Sequence, residues 1–432
     1  MQRGVSRPCS TLALGLALGG ATAVALGTTI ATRSMKTFTP TVISQPTRLN
    51  QALLALCPAL TNPYKLPAFL NNGHIETIFA ALFRKKPHIC YRRELIHMPD
   101  GGTVALDTED QITTASLPSD APVLILLPGL TGGSEDSYVQ HAVVHAREAG
   151  IRAVVFNGRG TSDTPVTSAQ FYSASYTGDM RAVVSHVASQ YPSSTLYAAG
   201  WSLGANILTC YLGEEGEGIP LTAAVAMCNP FNLPLARRNF RKGINKIYDW
   251  NLASNLNKIY TKHKDVFEKA AAEGTKPYNI ELANSAKTIR EFDEAITIVS
   301  FDWPSIDAYY EGSSSSKLIP KIKIPLLVIQ SEDDPIAPPE GIPFEELKAN
   351  PLCVLVTTPT GGHLGWCSGE NGVLGAPWSD AGVSQYFQAI GKLVEQPDMK
   401  EELGVIGGGV RPRAEKEPAG VTTEGFTTHQ AP

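Results

Sequence analysis

Gly200-Trp201-Ser202-Leu203-Gly204 joins a strand-like run, TLYAAG, to a helix-like run, LGANILTCYL. A serine on a sharp strand-to-helix turn presents its hydroxyl as a nucleophile. The turn strains the serine backbone, and Gly200 and Gly204, two residues to either side, let strand and helix approach closely. On the order of 0.2 copies of a bare G-x-S-x-G are expected by accident in a chain this rich in Gly and Ser. The flanking strand and helix are what give this copy weight.

A serine hydroxyl needs a base to take its proton, and the base needs a carboxylate to orient it. Both follow in the order serine, acid, histidine. The strand-like IPLLVIQ leads into Ser-Glu-Asp-Asp-Pro-Ile-Ala-Pro, and the next, LCVLVTTP, leads into Thr-Gly-Gly-His363. Asp334 is the preferred acid, because a proline lies four residues after it at Pro338, and Asp333 is the alternative, read otherwise as a loop cap. Gly361 and Gly362 allow the close backbone approach a catalytic histidine loop requires. The chemistry implied is acyl transfer through a serine ester.

A tetrahedral intermediate needs two aimed N–H donors. Leu203, directly after the serine at a helix start, supplies one. Leu130, in the loop Leu127-Pro128-Gly129-Leu130-Thr131-Gly132-Gly133, supplies the other. An ordinary glycine-rich turn is the competing reading of that loop. A phosphate loop is disfavoured, because G-x-x-x-x-G-K-[ST] is absent.

These groups need a scaffold. Short Val/Leu/Ala runs alternate with helical stretches: VLILLPG, a helix over 138–149, RAVVFNG, a helix over 178–190, TLYAAGW, a helix over 203–212, and TAAVAMCNP. That rhythm predicts an α/β protein, a mostly parallel, doubly wound sheet with helices on both faces. Charged helical stretches over about 231–317 interrupt it and predict a helical cap over the carboxyl edge of the sheet, where ligands bind in open α/β folds. A final helix over 383–394 closes the catalytic domain, 120–396. Residues 35–119 form an extension with a hairpin, CYRRELIHM and TVALDTE, around Asp100-Gly101-Gly102, and 397–432 read as a disordered tail.

The first 34 residues stand apart. Residues 11–32 are uncharged and apolar, with Arg3 and Arg7 before them and Arg33 and Lys36 after. Their length suits a membrane span of about 20 residues. An anchor, a secretory signal cut near Ala31 and a transit peptide compete. The anchor is preferred because a transit peptide is more polar, and the protein is then membrane-associated. Absence of any N-x-[ST] acceptor points to a cytosolic or organellar face rather than a glycosylating lumen.

With 43% hydrophobic and 18% charged residues the chain is globular, and a net charge of −5 without a basic stripe argues against a nucleic-acid partner. Seven cysteines without a C-x-x-C pair indicate neither zinc nor a disulfide framework. His141 and His145 have helical spacing but no third ligand nearby, so no metal site is assigned, and the serine chemistry needs no cofactor.

The segments NNGHIETI, LPGLTGGSEDSYV, VVFNGRG, FYSASYTGDMRAVV, GWSLGANIL, CNPFNL, IPLLVIQSEDDP and GGHLGW together resemble one branch of the α/β-hydrolase fold. That branch contains mammalian abhydrolase domain-containing proteins one and three, bacterial YheT-type hydrolases and fungal medium-chain ester synthases. The resemblance runs from about residue 71 to residue 396. It implies a lipid-active ester hydrolase, often with one N-terminal anchor, and carries a triad onto Ser202, Asp334 and His363. Pro128 stands where many hydrolases have histidine, as in the eukaryotic members. Asn157-Gly158-Arg159-Gly160 is shorter than the usual Asn-x-Arg-Gly-x-x-Gly. The expected substrate is a lipid or small acyl ester, as for an acylglycerol lipase, an esterase or a phospholipase. Two rivals are an alcohol acyltransferase using the same acyl-enzyme and a non-catalytic binding protein of the same fold.

Overall fold

The computed structural model describes residues 34–110, 113–369 and 371–402. Eleven strands are found among them: β1 (Met35–Phe38), β2 (Thr41–Ser44), β3 (Tyr64–Pro67), β4 (Tyr91–His97), β5 (Thr103–Glu109), β6 (Val123–Leu127), β7 (Arg152–Asn157), β8 (Leu196–Trp201), β9 (Ala223–Met227), β10 (Leu326–Ser331) and β11 (Cys353–Thr358). Nine of them make one sheet in the order β2-β11-β10-β9-β8-β6-β7-β5-β4. The six from β11 to β7 in that order are mutually parallel, and antiparallel strands close both edges.

Alternation along each central strand explains the two layers. Val123, Ile125 and Leu127 of β6 join one apolar cluster with Val183 and Leu208 from the helices Gly178–Gln190 and Leu203–Glu215. Leu124 and Leu126 face the other way, into a cluster with Val143 and Ile390 from the helices Ser137–Glu148 and Trp378–Val394. A strand buried on both faces needs this continuous apolar run, which is the composition read from the sequence.

The expected hairpin, β4 with β5, is hydrogen-bonded to β7 and forms one edge of the main sheet. Strand β2 forms the opposite edge, against β11. Residues of the 35–119 stretch therefore complete the sheet on both sides. The cap lies between β9 and β10 and is built around the 28-residue helix Asn245–Ala272, with an apolar cluster of Tyr260, Phe267 and Phe292 that Phe171, from the connection after β7, completes. The tail expected from residue 397 begins as a helix, Pro397–Glu402, because Met399 is buried against the core. The remainder of that tail lies outside the described residues, as does the membrane segment expected at 11–32. Among the described residues no helix is long and apolar enough to cross a membrane.

Chain order reverses at β6: the next strand, β7, lies on one side of it and β8 on the other. The loops leaving β6 and β8 thus diverge above a crevice, and Leu127 is paired with Gly200 at its floor. Such a switch point is where open α/β sheets bind ligands.

Candidate active site

Ser202 follows β8 as the cap residue of the helix Leu203–Glu215, at φ 52° and ψ −119°. A positive φ is costly for a residue with a Cβ. The flanking glycines allow the bend. A Cβ on Gly200 would lie 2.7 Å from the Gly204 carbonyl oxygen, and one on Gly204 would collide with the carbonyl oxygens of Leu127 and Pro128.

The histidine loop meets the serine from across the crevice. His363 Nε2 lies 2.9 Å from Ser202 Oγ, and His363 Nδ1 lies 2.8 Å from Asp334 Oδ2. The other carboxylate oxygen of Asp334 accepts the backbone N–H groups of Ile336 and Ala337 at 2.7 and 2.8 Å. Those donors fix the carboxylate plane, and the buried carboxylate in turn fixes the imidazole.

Asp333 faces away from this chain of contacts. It accepts from Ser331 Oγ at 2.7 Å, Thr360 Oγ1 at 3.0 Å and Gly362 N–H at 2.9 Å, so it ties the acid loop to the histidine loop.

Supports that the sequence reading left without a role come from NNGHIETI, which forms the helix Gly73–Phe83. Thr77 Oγ1 accepts His363 N–H at 2.8 Å and donates to Gly73 carbonyl at 2.6 Å. Glu76 is fully buried, accepts Cys367 N–H at 2.7 Å and lies 3.1 Å from Thr360 Oγ1. Burial pushes its carboxyl up to about 7. The signal was a Gly-His-Ile-Glu-Thr helix start, far from the motifs in the chain yet packed beneath His363.

Gly129 and Thr131 N–H groups are held by the phenol oxygens of Tyr138 and Tyr172, each at 3.0 Å. Between them, Leu130 borders the same cavity as Ser202, Leu203 and His363. That cavity has a volume of about 700 Å³ and is roofed by Leu233, Leu252, Leu256, Ile259 and Phe292 of the cap region. Its apolar lining suits an acyl chain, and this size is within the range of small-molecule sites. Asp293, in a π-helical turn on the cavity wall, accepts from Thr297 Oγ1 and Tyr310 OH at 2.7 and 2.8 Å, and burial raises its carboxyl to about 6. Nothing in the sequence distinguished it from the other acids of the cap.

Arg159, from the shortened segment, is fully buried and pairs with Asp179 at 2.7 Å and with Asp100, outside the cavity lining. Among the described residues, Cys228, Asp334 and His363 form the one group with metal-type donors close together. Both imidazole nitrogens already face partners, and burial pushes the Cys228 thiol well above its ordinary value, so this donor set suits a hydrogen-bonded network better than a cation. His141 Nε2 is 2.9 Å from the Lys85 carbonyl oxygen.

A family model described as the alpha/beta hydrolase fold matches residues 122–365. The chain is 48% identical over 356 residues to embryogenesis-associated protein EMB8 of Picea glauca, covering 81% of this chain and 77% of that one. It is 35% identical over 316 residues to phospholipase ABHD3 of Homo sapiens, covering 72% and 76%. With the monoacylglycerol lipase of Saccharomyces cerevisiae it shares 30% identity over 348 residues, covering 71% and 77%.

Proposed function

The chain belongs to the α/β-hydrolase family and is a serine hydrolase, and on that premise we propose that it cleaves carboxylic esters of lipids or simpler acyl chains with Ser202, His363 and Asp334 as nucleophile, base and acid. Ser202 Oγ attacks the ester carbonyl while His363 Nε2 takes its proton. Leu203 N–H and Leu130 N–H stabilise the oxyanion. His363 returns the proton to the departing alcohol, and water, activated by the same nitrogen, releases the acid from the serine ester. Asp334 keeps Nδ1–H oriented and stabilises the imidazolium in both steps.

The observation that carries this reading is the continuous contact chain through His363, 2.9 Å to Ser202 and 2.8 Å to Asp334, opening on an apolar cavity of about 700 Å³. Acyl chain in the cavity and head group toward its mouth is the orientation that apolar lining favours. The names of two relatives, a phospholipase and a monoacylglycerol lipase, support glycerolipid esters as the substrate class.

The test is hydrolysis of p-nitrophenyl esters and of mono- and diacylglycerols of graded chain length by the full chain and by Ser202→Ala. The variant should lose a factor on the order of a million in kcat while unfolding at the wild-type temperature. Retention of more than about a tenth of the activity would remove Ser202 from the reaction.

A further inference from the structure

The helix Asn245–Ala272 has two apolar sides. Leu252, Leu256 and Ile259 line the cavity. On the opposite side Ile247 and Trp250 follow at helical spacing and are 59% and 58% exposed, and Ile244, three residues before Ile247, is 50% exposed. Tryptophan is ordinarily well buried, so its exposure in a stripe with two isoleucines calls for a partner.

A second stripe is its neighbour. Ile75, Ile78 and Leu82 of the helix Gly73–Phe83 are 48%, 42% and 69% exposed. The two helices meet at their first turns, where the His74 ring stacks on Tyr248 at 5.7 Å and His74 Nδ1 lies 3.0 Å from the phenol oxygen.

Charge around the first stripe is one-sided. Residues 237–246 contain Arg237, Arg238, Arg241, Lys242 and Lys246 and no acid, in a chain whose net charge is −5. Arg237 is paired with Asp307. Arg241, Lys242 and Lys246 are exposed and, among the described residues, in no ion pair. Asp249, the nearest acid in sequence, turns inward to accept Ile289 N–H at 2.8 Å.

We propose that this face docks the protein on an anionic lipid bilayer, with Ile244, Ile247 and Trp250 entering the headgroup layer and Lys242 and Lys246 meeting lipid phosphates and carboxylates. Apolar side chains with a tryptophan, flanked by lysine and arginine, are the composition of a helix lying in a membrane interface. A second copy of the chain fits the face less well, since a two-fold pairing would set the same cluster of cations against itself. Docked in this way, the helix becomes the partition between the bilayer and the cavity. The proposal is independent of the ester chemistry and of residues 11–32.

The experiment uses the full-length chain with vesicles of phosphatidylcholine, alone or mixed with phosphatidylserine, bearing brominated acyl chains that quench tryptophan on contact. Wild type should show a quenched component on the anionic vesicles that Trp250→Phe lacks. Ile247→Asn combined with Trp250→Asn should weaken partition about tenfold or more. Lys242→Gln with Lys246→Gln should weaken it about fivefold per charge on the anionic vesicles and not on phosphatidylcholine alone. Equal quenching in wild type and Trp250→Phe would assign membrane contact to another part of the chain and overturn the proposal. So would a dimer, seen by sedimentation, that Ile247→Asn with Trp250→Asn abolishes.

Discussion

Replacing the two adjacent aspartates separately discriminates their roles. Asp334 Oδ2 faces His363 Nδ1 at 2.8 Å while Oδ1 is taken by two backbone N–H groups. In Asp334→Asn the amide oxygen keeps the backbone donors, so the NH2 group is turned toward Nδ1. A donor there forces the imidazole into the tautomer that carries its proton on Nε2, toward Ser202, where it cannot act as a base. The same substitution in serine proteases costs about ten-thousandfold in kcat, equivalent to about 5.5 kcal/mol of transition-state stabilisation. Asp333→Asn instead weakens one of three contacts, with Ser331 on its own side and with Thr360 and Gly362 of the histidine loop. Its cost is about 1–3 kcal/mol in stability, and kcat should stay within about tenfold. The assay is kcat on a soluble p-nitrophenyl ester beside thermal unfolding of each variant. A greater loss of kcat in Asp333→Asn than in Asp334→Asn would refute the assignment.

Three further outcomes are expected. Gly204→Ala should destabilise the fold by about 3 kcal/mol or more in denaturant titration, because its Cβ meets two backbone carbonyls rather than a movable side chain; an unchanged midpoint would contradict the close packing of helix on strand. Tyr138→Phe should lower kcat by about ten- to a hundredfold with KM little changed, since it releases the Gly129 N–H beside Leu130; loss confined to KM would count against a role in aiming the loop. Glu76 has its folded value raised from 4.5 to about 7, so its stabilising contribution is complete below 4.5 and is lost as pH rises through about 7. The loss amounts to about 3 kcal/mol, and in Glu76→Gln the fall in unfolding temperature between pH 5 and pH 8 should shrink accordingly; an undiminished fall would show that other groups carry it.

The doubly wound sheet was legible because its strands are continuous apolar runs with no competing period, as in β6, β8 and β10. Ser202 and His363 were legible because glycines mark both turns, and the structure brings them together with Asp334. Choosing between Asp333 and Asp334 rested on a proline four residues on, whereas in the structure the difference is which way each carboxylate faces across the loop. Glu76 and Thr77 escaped because they act over nearly three hundred residues of chain, through contacts with Cys367, Thr360 and His363. Edge strand β2 was missed for a related reason: four residues, Thr41–Ser44, carry too little periodicity to announce a partner as distant as β11. The first turn of the tail was read as disordered from its composition, yet one methionine, Met399, is enough to hold it on the core.

The central claim is that Ser202 is the activated nucleophile, and labelling with a fluorophosphonate tests it most directly. Such probes phosphonylate a serine only where a base and an oxyanion site raise its reactivity. Peptide mass mapping of the labelled full-length chain should find the adduct on Ser202, with labelling abolished in Ser202→Ala and strongly slowed in Asp334→Asn. Undiminished labelling of Ser202→Ala, or an adduct on another serine of the wild-type protein, would contradict the account.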